Sequence, residues 1–231
     1  MDPRRTLVFY TSTNSRPWKR DATGAFIPEA KAFAKFHGVP DENLVPIPCR
    51  GVPRWKRRAL VMQALRKHTR IETIAFFCHG HPDKIQFGFD LATNSKLANA
   101  IQDATEGAES LDIILYACSC ARNRKIDQKK RWYFPAHDVT DGCYAEDLLD
   151  LLNYRNVPEP TVYAHYTSGH TTRNPYVVTF NSSYIEWMHK PFSIEWKTWV
   201  KALKGDLRFN FWTEEGWEQF HEEYEKLVEN I

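Results

Sequence analysis

No stretch of the 231 residues is long and apolar enough to cross a membrane. The hydrophobic run nearest the start, Leu7 to Tyr10, is too short for the core of a signal peptide, so a cytoplasmic protein is expected. Charge of one sign is also lacking. Thirty-one Lys and Arg stand against 29 Asp and Glu, and a net charge of +2 gives no case for a general nucleic-acid or membrane-surface binder. Cysteine is scarce: five residues, an odd number without the spacing of a disulfide framework, which points to free thiols in a reducing compartment. Internal repeats and low-complexity linkers are missing too. What remains is an ordinary globular composition, 42% hydrophobic and 26% charged. Its 14% aromatic content, with eight Trp, suits a well-packed core or an aromatic-lined groove.

The first two-thirds alternates strand and helix signals. "TLVFYTS" reads as a short strand, and "GAFIPEAKAFAKFHG" as a helix with Pro28 in its first turn and Gly38 at its stop. Ala30, Phe33, Ala34 and His37 fall on one face of that helix. "NLVPIP" is a weak strand whose prolines suit a sheet edge. "WKRRALVMQALRKHTR" is a second helix, with Val61, Ala64, Leu65 and His68 on one face. Two continuous apolar runs follow, Ile71 to Cys78 and Leu111 to Ala117, with a short helix between them near Ser95 to Ala104. Runs apolar on both faces are the mark of central strands in a parallel sheet covered on both sides. A helix at Tyr144 to Asn153 and strands at Thr161 to Tyr166 and Tyr176 to Phe180 complete an α/β pattern. Beyond Asn181 the character changes. Residues 182–231 read as a Trp-rich helical extension packed on the first domain, ending in the amphipathic "TEEGWEQFHEEYEKLVENI".

Both central runs stop at reactive residues. The first ends in Cys78-His79-Gly80-His81 and the second in Cys118-Ser119-Cys120. Strand ends are where open α/β sheets keep their ligands. Adjacent parallel strands lie about 4.8 Å apart, so neighbouring ends would bring His79 near Cys118. A Cys–His pair is the minimum set for thiolate catalysis, with His taking the thiol proton or delivering one to the leaving group. Gly80, without a Cβ, lets a carbonyl approach, and its N–H is a candidate oxyanion donor. Taken singly, a cysteine is more often core than catalyst, and Cys78 inside its strand reads as core. The conjunction of two buried strands, each ending in one reactive residue, favours chemistry. His81 and Cys120 are then auxiliary, lining the cleft or packing.

At these residues the chain resembles the caspase, legumain and gingipain group of cysteine peptidases, whose strands end in His-Gly and in Ala-Cys or Gly-Cys. "IAFFCHG" and "IILYAC" stand in those roles over roughly Thr6 to Phe180. The resemblance implies a caspase-like three-layer sandwich with a mostly parallel sheet over residues 1–181, and a cysteine endopeptidase acting through His79 and Cys118. It also implies a protein or peptide substrate, with room for an activating partner and no cofactor. "TVYAHYTSGHTTRNPYVV" is similar to the caspase stretch that presents a substrate-binding arginine, which matches Arg173; Arg16 in "TSTNSRPWKR" matches a second. Arg16 and Arg173 would thus accept an acidic P1 side chain, guanidinium being the natural bidentate partner of a carboxylate. Tyr116 stands where caspases carry Gln, and Ser119-Cys120 where they carry Arg-Gly, which sets the chain outside the true caspases.

The loop "RNRKIDQKKR" after Cys118 has six basic residues in ten and corresponds to the stretch often cut on activation in that group. Asp127 would suit self-cleavage by an enzyme preferring acidic residues; its Lys and Arg would suit one preferring basic residues. A catalytically silent caspase-like scaffold is the other alternative. Cys78, His79, His81, Cys118 and Cys120 are also residue types that bind zinc, but consecutive strand residues point to opposite faces, so Cys78 and His79 cannot easily share an ion.

Overall fold

A computed structural model of the chain describes residues 1–13, 23–123, 142–166, 177–182 and 185–187. The strands are β1 (Thr6–Thr11), β2 (Leu44–Ile47), β3 (Thr73–Phe77), β4 (Gly80–His81), β5 (Lys84–Ile85), β6 (Leu111–Tyr116), β7 (Pro160–His165), β8 (Val177–Phe180) and β9 (Ile185–Trp187). The α-helices among the described residues are α1 (Thr23–His37), α2 (Arg54–Leu65), α3 (Asn94–Ala104) and α4 (Tyr144–Tyr154). Seven strands form one sheet in the order β2-β1-β3-β6-β7-β8-β9. All pairs from β2 to β7 are parallel; β8 runs antiparallel to β7, and β9 antiparallel to β8. β4 and β5 make a separate antiparallel pair.

The central strands are buried on both faces because helices cover both. Odd-numbered residues of β1 and β6 (Leu7, Phe9, Ile113, Leu115) and even-numbered ones of β3 (Ile74, Phe76) pack with Val61 and Leu65 of α2, Ile101 of α3 and Leu148 of α4. The alternate set, Val8, Ala75, Phe77, Ile114 and Tyr116, packs with Phe26, Ala30, Phe33 and Ala34 of α1. This period-2 division is why each run reads as continuously apolar. Burial of each such phenylalanine contributes roughly 1.5–3 kcal/mol. Tyr116 lies inside this core, stacked on Phe77 at 4.2 Å and 15°, so it is a packing residue.

Local rules account for most boundaries. Gly38 (φ 66°) ends α1 in a Schellman motif: Val39 N–H donates to Ala34 O at 2.8 Å and Gly38 N–H to Lys35 O at 3.3 Å. β2 with its Pro46 lies at the sheet edge, where a missing ladder donor costs little. One boundary differs from expectation. α1 begins at Thr23, so Pro28 is its sixth residue and not part of the first turn. Past Asn181 the chain adds β9 to the sheet before the described residues end, and the rest of the expected helical extension lies outside them.

Candidate functional site

β3 and β6 are neighbours, and their parallel register pairs Phe77 with Tyr116. His79 and Cys118 therefore each stand two residues beyond the same register step. Cys78 N–H still donates to Tyr116 O at 3.2 Å, so the ladder extends one residue past β3 before the chains part. The strand alternation continues through this segment. Cys78 belongs to the core shared by α2, α3 and α4, while the His79 ring meets Phe26 of α1 edge-on, with centroids 5.2 Å apart and an interplanar angle of 88°. Cys78 and His79 thus face opposite sides of the sheet.

The main chain of His79 is clamped by Gln86. Gln86 Oε1 accepts from His79 N–H at 3.1 Å and from Thr11 Oγ1 at 2.9 Å, while Gln86 N–H donates to His79 O at 2.8 Å. Arg57 of α2 secures the clamp in turn, donating from Nη1 to Gln86 O at 2.7 Å and from Nε to Val52 O at 2.8 Å. The one mark Gln86 carries in the sequence is that of a polar residue between two apolar ones, Ile85 and Phe87, both buried in the structure.

The Cys118 loop is held as firmly. Ser119 takes a left-handed φ of 59°, a conformation that costs a non-glycine residue of the order of 1–2 kcal/mol and persists only where its surroundings enforce it. Here Ala121 N–H donates to His165 O at 3.0 Å, at the end of β7. The N-terminus of α4 then joins the two loops: Ala145 N–H donates to Cys120 O at 3.0 Å, and Tyr144 N–H to Pro82 O at 2.8 Å. Two orphan donors of a first helical turn are satisfied in this way. Cys143 caps the same helix through Sγ, which accepts from Glu146 N–H at 3.4 Å.

Gly80 lies directly against the Cys118 loop. A Cβ there would come 2.5 Å from Cys118 O, 2.7 Å from Cys120 Sγ and 2.8 Å from the Ala117 carbonyl carbon. Gly80 is not among the positive-φ glycines, so the residue answers to space and not to backbone conformation.

The five thiols differ sharply. Cys49, Cys78, Cys120 and Cys143 are buried, and Cys118 alone is partly exposed, between fully buried Ala117 and nearly buried Ser119. Burial pushes the Cys78 and Cys120 thiols well above the ordinary range and Cys143 up to about 12, so these remain protonated and inert. Cys120 packs with its Sγ 3.8 Å from His81 O. His81 is exposed, with Nδ1 2.6 Å from Asp83 Oδ1. Desolvation raises the Asp83 carboxyl, but the hydrogen bond from His81 and the Lys84 charge outweigh it and leave the group below its ordinary value. Among the described residues no three His, Cys, Asp or Glu side chains converge in a metal-type cluster.

A cavity of about 360 Å³ lies between the N-terminal turn of α2 and the β4–β5 hairpin. His79, Gly80 and His81 line it together with Arg54, Arg57, Lys84 and Asp90; Cys118 does not. Arg16, Arg173 and Asp127 lie outside the described residues. No helix of the described residues is long and apolar enough to cross a membrane.

Residues 56–128 match a family described as a domain of unknown function (DUF4347). The matched segment runs from α2 past β6 and includes both His79 and Cys118, but it is well under half of the chain. No curated protein matches the sequence.

Proposed function

We propose that the protein is a cysteine endopeptidase of caspase-like architecture, with Cys118 as nucleophile and His79 as general acid and base. The observation that carries this reading is the β3–β6 register, which sets a histidine and the one accessible thiol of the chain at matching positions beyond two adjacent buried strands. The Cys118 thiolate attacks the scissile carbonyl carbon and forms a C–S bond. Protonated His79 then delivers its proton to the amine as the C–N bond breaks. Water next attacks the thioester, giving its proton to neutral His79, and the acid product leaves with the thiol restored. The sequence adds an expected preference for an acidic P1 residue, through Arg16 and Arg173.

Replacement of Cys118 or His79 by Ala should lower turnover of a peptide library by several orders of magnitude while the protein stays folded, because both residues are only half-buried. Retention of activity in Cys118→Ala together with its loss in Cys120→Ala would identify the wrong thiol. Mass spectrometry after incubation reads the P1 preference. A self-cut after Asp127, abolished by Cys118→Ala, supports an acidic pocket. A cut after Lys125, Lys129, Lys130 or Arg131 replaces it with a basic preference.

A further inference from the structure

We propose that the cavity between α2 and the β4–β5 hairpin is a binding site for a small phosphate monoester. This goes beyond the peptidase reading and does not depend on it. The site is separate from the reactive pair. Cys118 does not line the cavity, and the His79 ring packs on Phe26 of α1, on the face of the sheet opposite α2. The walls of the cavity are fixed to each other. Arg57 donates from Nη1 to Gln86 O at 2.7 Å and Arg58 from Nη1 to Gly88 O at 2.8 Å, so two arginines fasten α2 to the segment after β5. Gly88 closes the same seam, since a Cβ there would stand 2.5 Å from Arg54 O. The volume, about 360 Å³, is at the small end for ligand pockets and suits an oxyanion that carries a short carbon chain.

The charges set the ligand class. Arg54, Arg57 and Lys84 line the cavity against one carboxylate, that of Asp90. Among the described residues neither Arg54 nor Arg57 has a carboxylate partner. The bonds that orient the half-buried Arg57 guanidinium run to the carbonyls of Val52 and Gln86 and leave its charge uncancelled. A guanidinium drawn partly out of water with only neutral partners favours an anion that completes its hydrogen bonds. Lys84 is shared with Asp83 at 3.6 Å and adds to the positive field. A phosphate monoester carries about −1.5 to −2 at neutral pH with three acceptor oxygens, and so answers these cations better than a single carboxylate. Asp90 Oδ1 accepts from Thr93 Oγ1 at 2.6 Å, which leaves its second oxygen to accept from a hydroxyl on the ligand's carbon chain. An amine in place of the phosphate would meet like charge at both arginines.

The test is isothermal titration calorimetry of the full chain with glycerol 3-phosphate, inorganic phosphate and succinate, at one pH and constant ionic strength. Two variants are compared, Arg54→Glu in the cavity wall and Arg66→Glu just past the far end of the same helix. Both arginines are exposed, so neither replacement disturbs the core. Glycerol 3-phosphate should bind saturably at one site. Arg54→Glu should weaken it roughly tenfold to a hundredfold, the effect of losing a charge-assisted hydrogen bond. Arg66 stands roughly 18 Å further along the helix, beyond the screening length, so Arg66→Glu should leave the affinity within about twofold. No saturable binding at millimolar ligand, or equal weakening by Arg66→Glu, overturns the site. Succinate binding as tightly as glycerol 3-phosphate overturns the phosphate assignment, and inorganic phosphate binding as tightly overturns the ester. Failure of the peptidase reading would leave each of these outcomes unchanged.

Discussion

Gly80→Ala tests the proposed assembly more sharply than removal of either reactive group, because it changes only a distance. The added methyl would stand 2.5–2.8 Å from Cys118 O, Cys120 Sγ and the Ala117 carbonyl carbon. Two of these three neighbours are backbone atoms, so no side-chain rotation relieves the contact. The His79 and Cys118 loops must part by roughly 1 Å to regain ordinary van der Waals separation. Overpacking of this kind costs roughly 1–3 kcal/mol. In a domain of this size each kcal/mol lowers the melting temperature by about 2–4 °C, so the variant stays folded at room temperature. A 1 Å misplacement of reacting groups can nonetheless cost about a hundredfold in rate. The expected result is a kcat/KM lower by about that factor in a protein that still melts cooperatively only a few degrees early. A folded Gly80→Ala variant within about threefold of the parent's activity would refute the reasoning, since the separation of these two loops would then be irrelevant to the chemistry.

Two further outcomes follow from burial. In the native protein at mildly alkaline pH, iodoacetamide should label Cys118 alone, the other four thiols being buried; fast modification of Cys49, Cys78, Cys120 or Cys143 before unfolding would contradict the packing. His37 carries the clearest pH signature. Burial first, and the N-terminal amine second, lower it from 6.5 to about 4, so the folded state refuses a proton that the unfolded chain accepts. That contribution to stability is fully present above about pH 6.5 and is lost as pH falls toward 4, an effect of roughly 3 kcal/mol at most. Urea unfolding at a series of pH values should show the slope, and His37→Leu should flatten it; an unchanged slope in the variant would assign the effect elsewhere.

The strands of this fold were legible because each carries its own evidence. Ile74 to Phe77 and Leu111 to Tyr116 need no partner to announce burial on both faces, and Gly38 announces the end of α1. Pro28 departs from its expected first-turn place for the opposite reason. The preference of proline for a first turn is a local tendency, and the apolar face of α1, which buries Phe26 against the sheet, extends the helix N-terminal to it. The candidate site divides in the same way. His79 and Cys118 could be picked out by residue type at strand ends, whereas the contact that demands a small residue at position 80 is created only by the fold. Gln86 could not, since its work depends on Thr11 and Arg57, residues distant in the chain whose proximity only the folded sheet creates.

The supports the sequence left hidden are the ones that make the two loops a unit. A histidine and a thiol at neighbouring strand ends would drift independently if each hung from its own strand. Gln86 instead fixes the His79 peptide on both sides, Ala121 ties the Cys118 loop to β7, and the first turn of α4 donates to a carbonyl in each loop. Gly80 then sets their separation by direct contact. On the peptidase reading proposed above, preorganisation of this order would turn proximity into rate, because the geometry is held before a substrate arrives. Within this bracing Ser119 is held in a strained conformation of the kind that clusters at functional sites, and that is the reason to look for chemistry between His79 and Cys118.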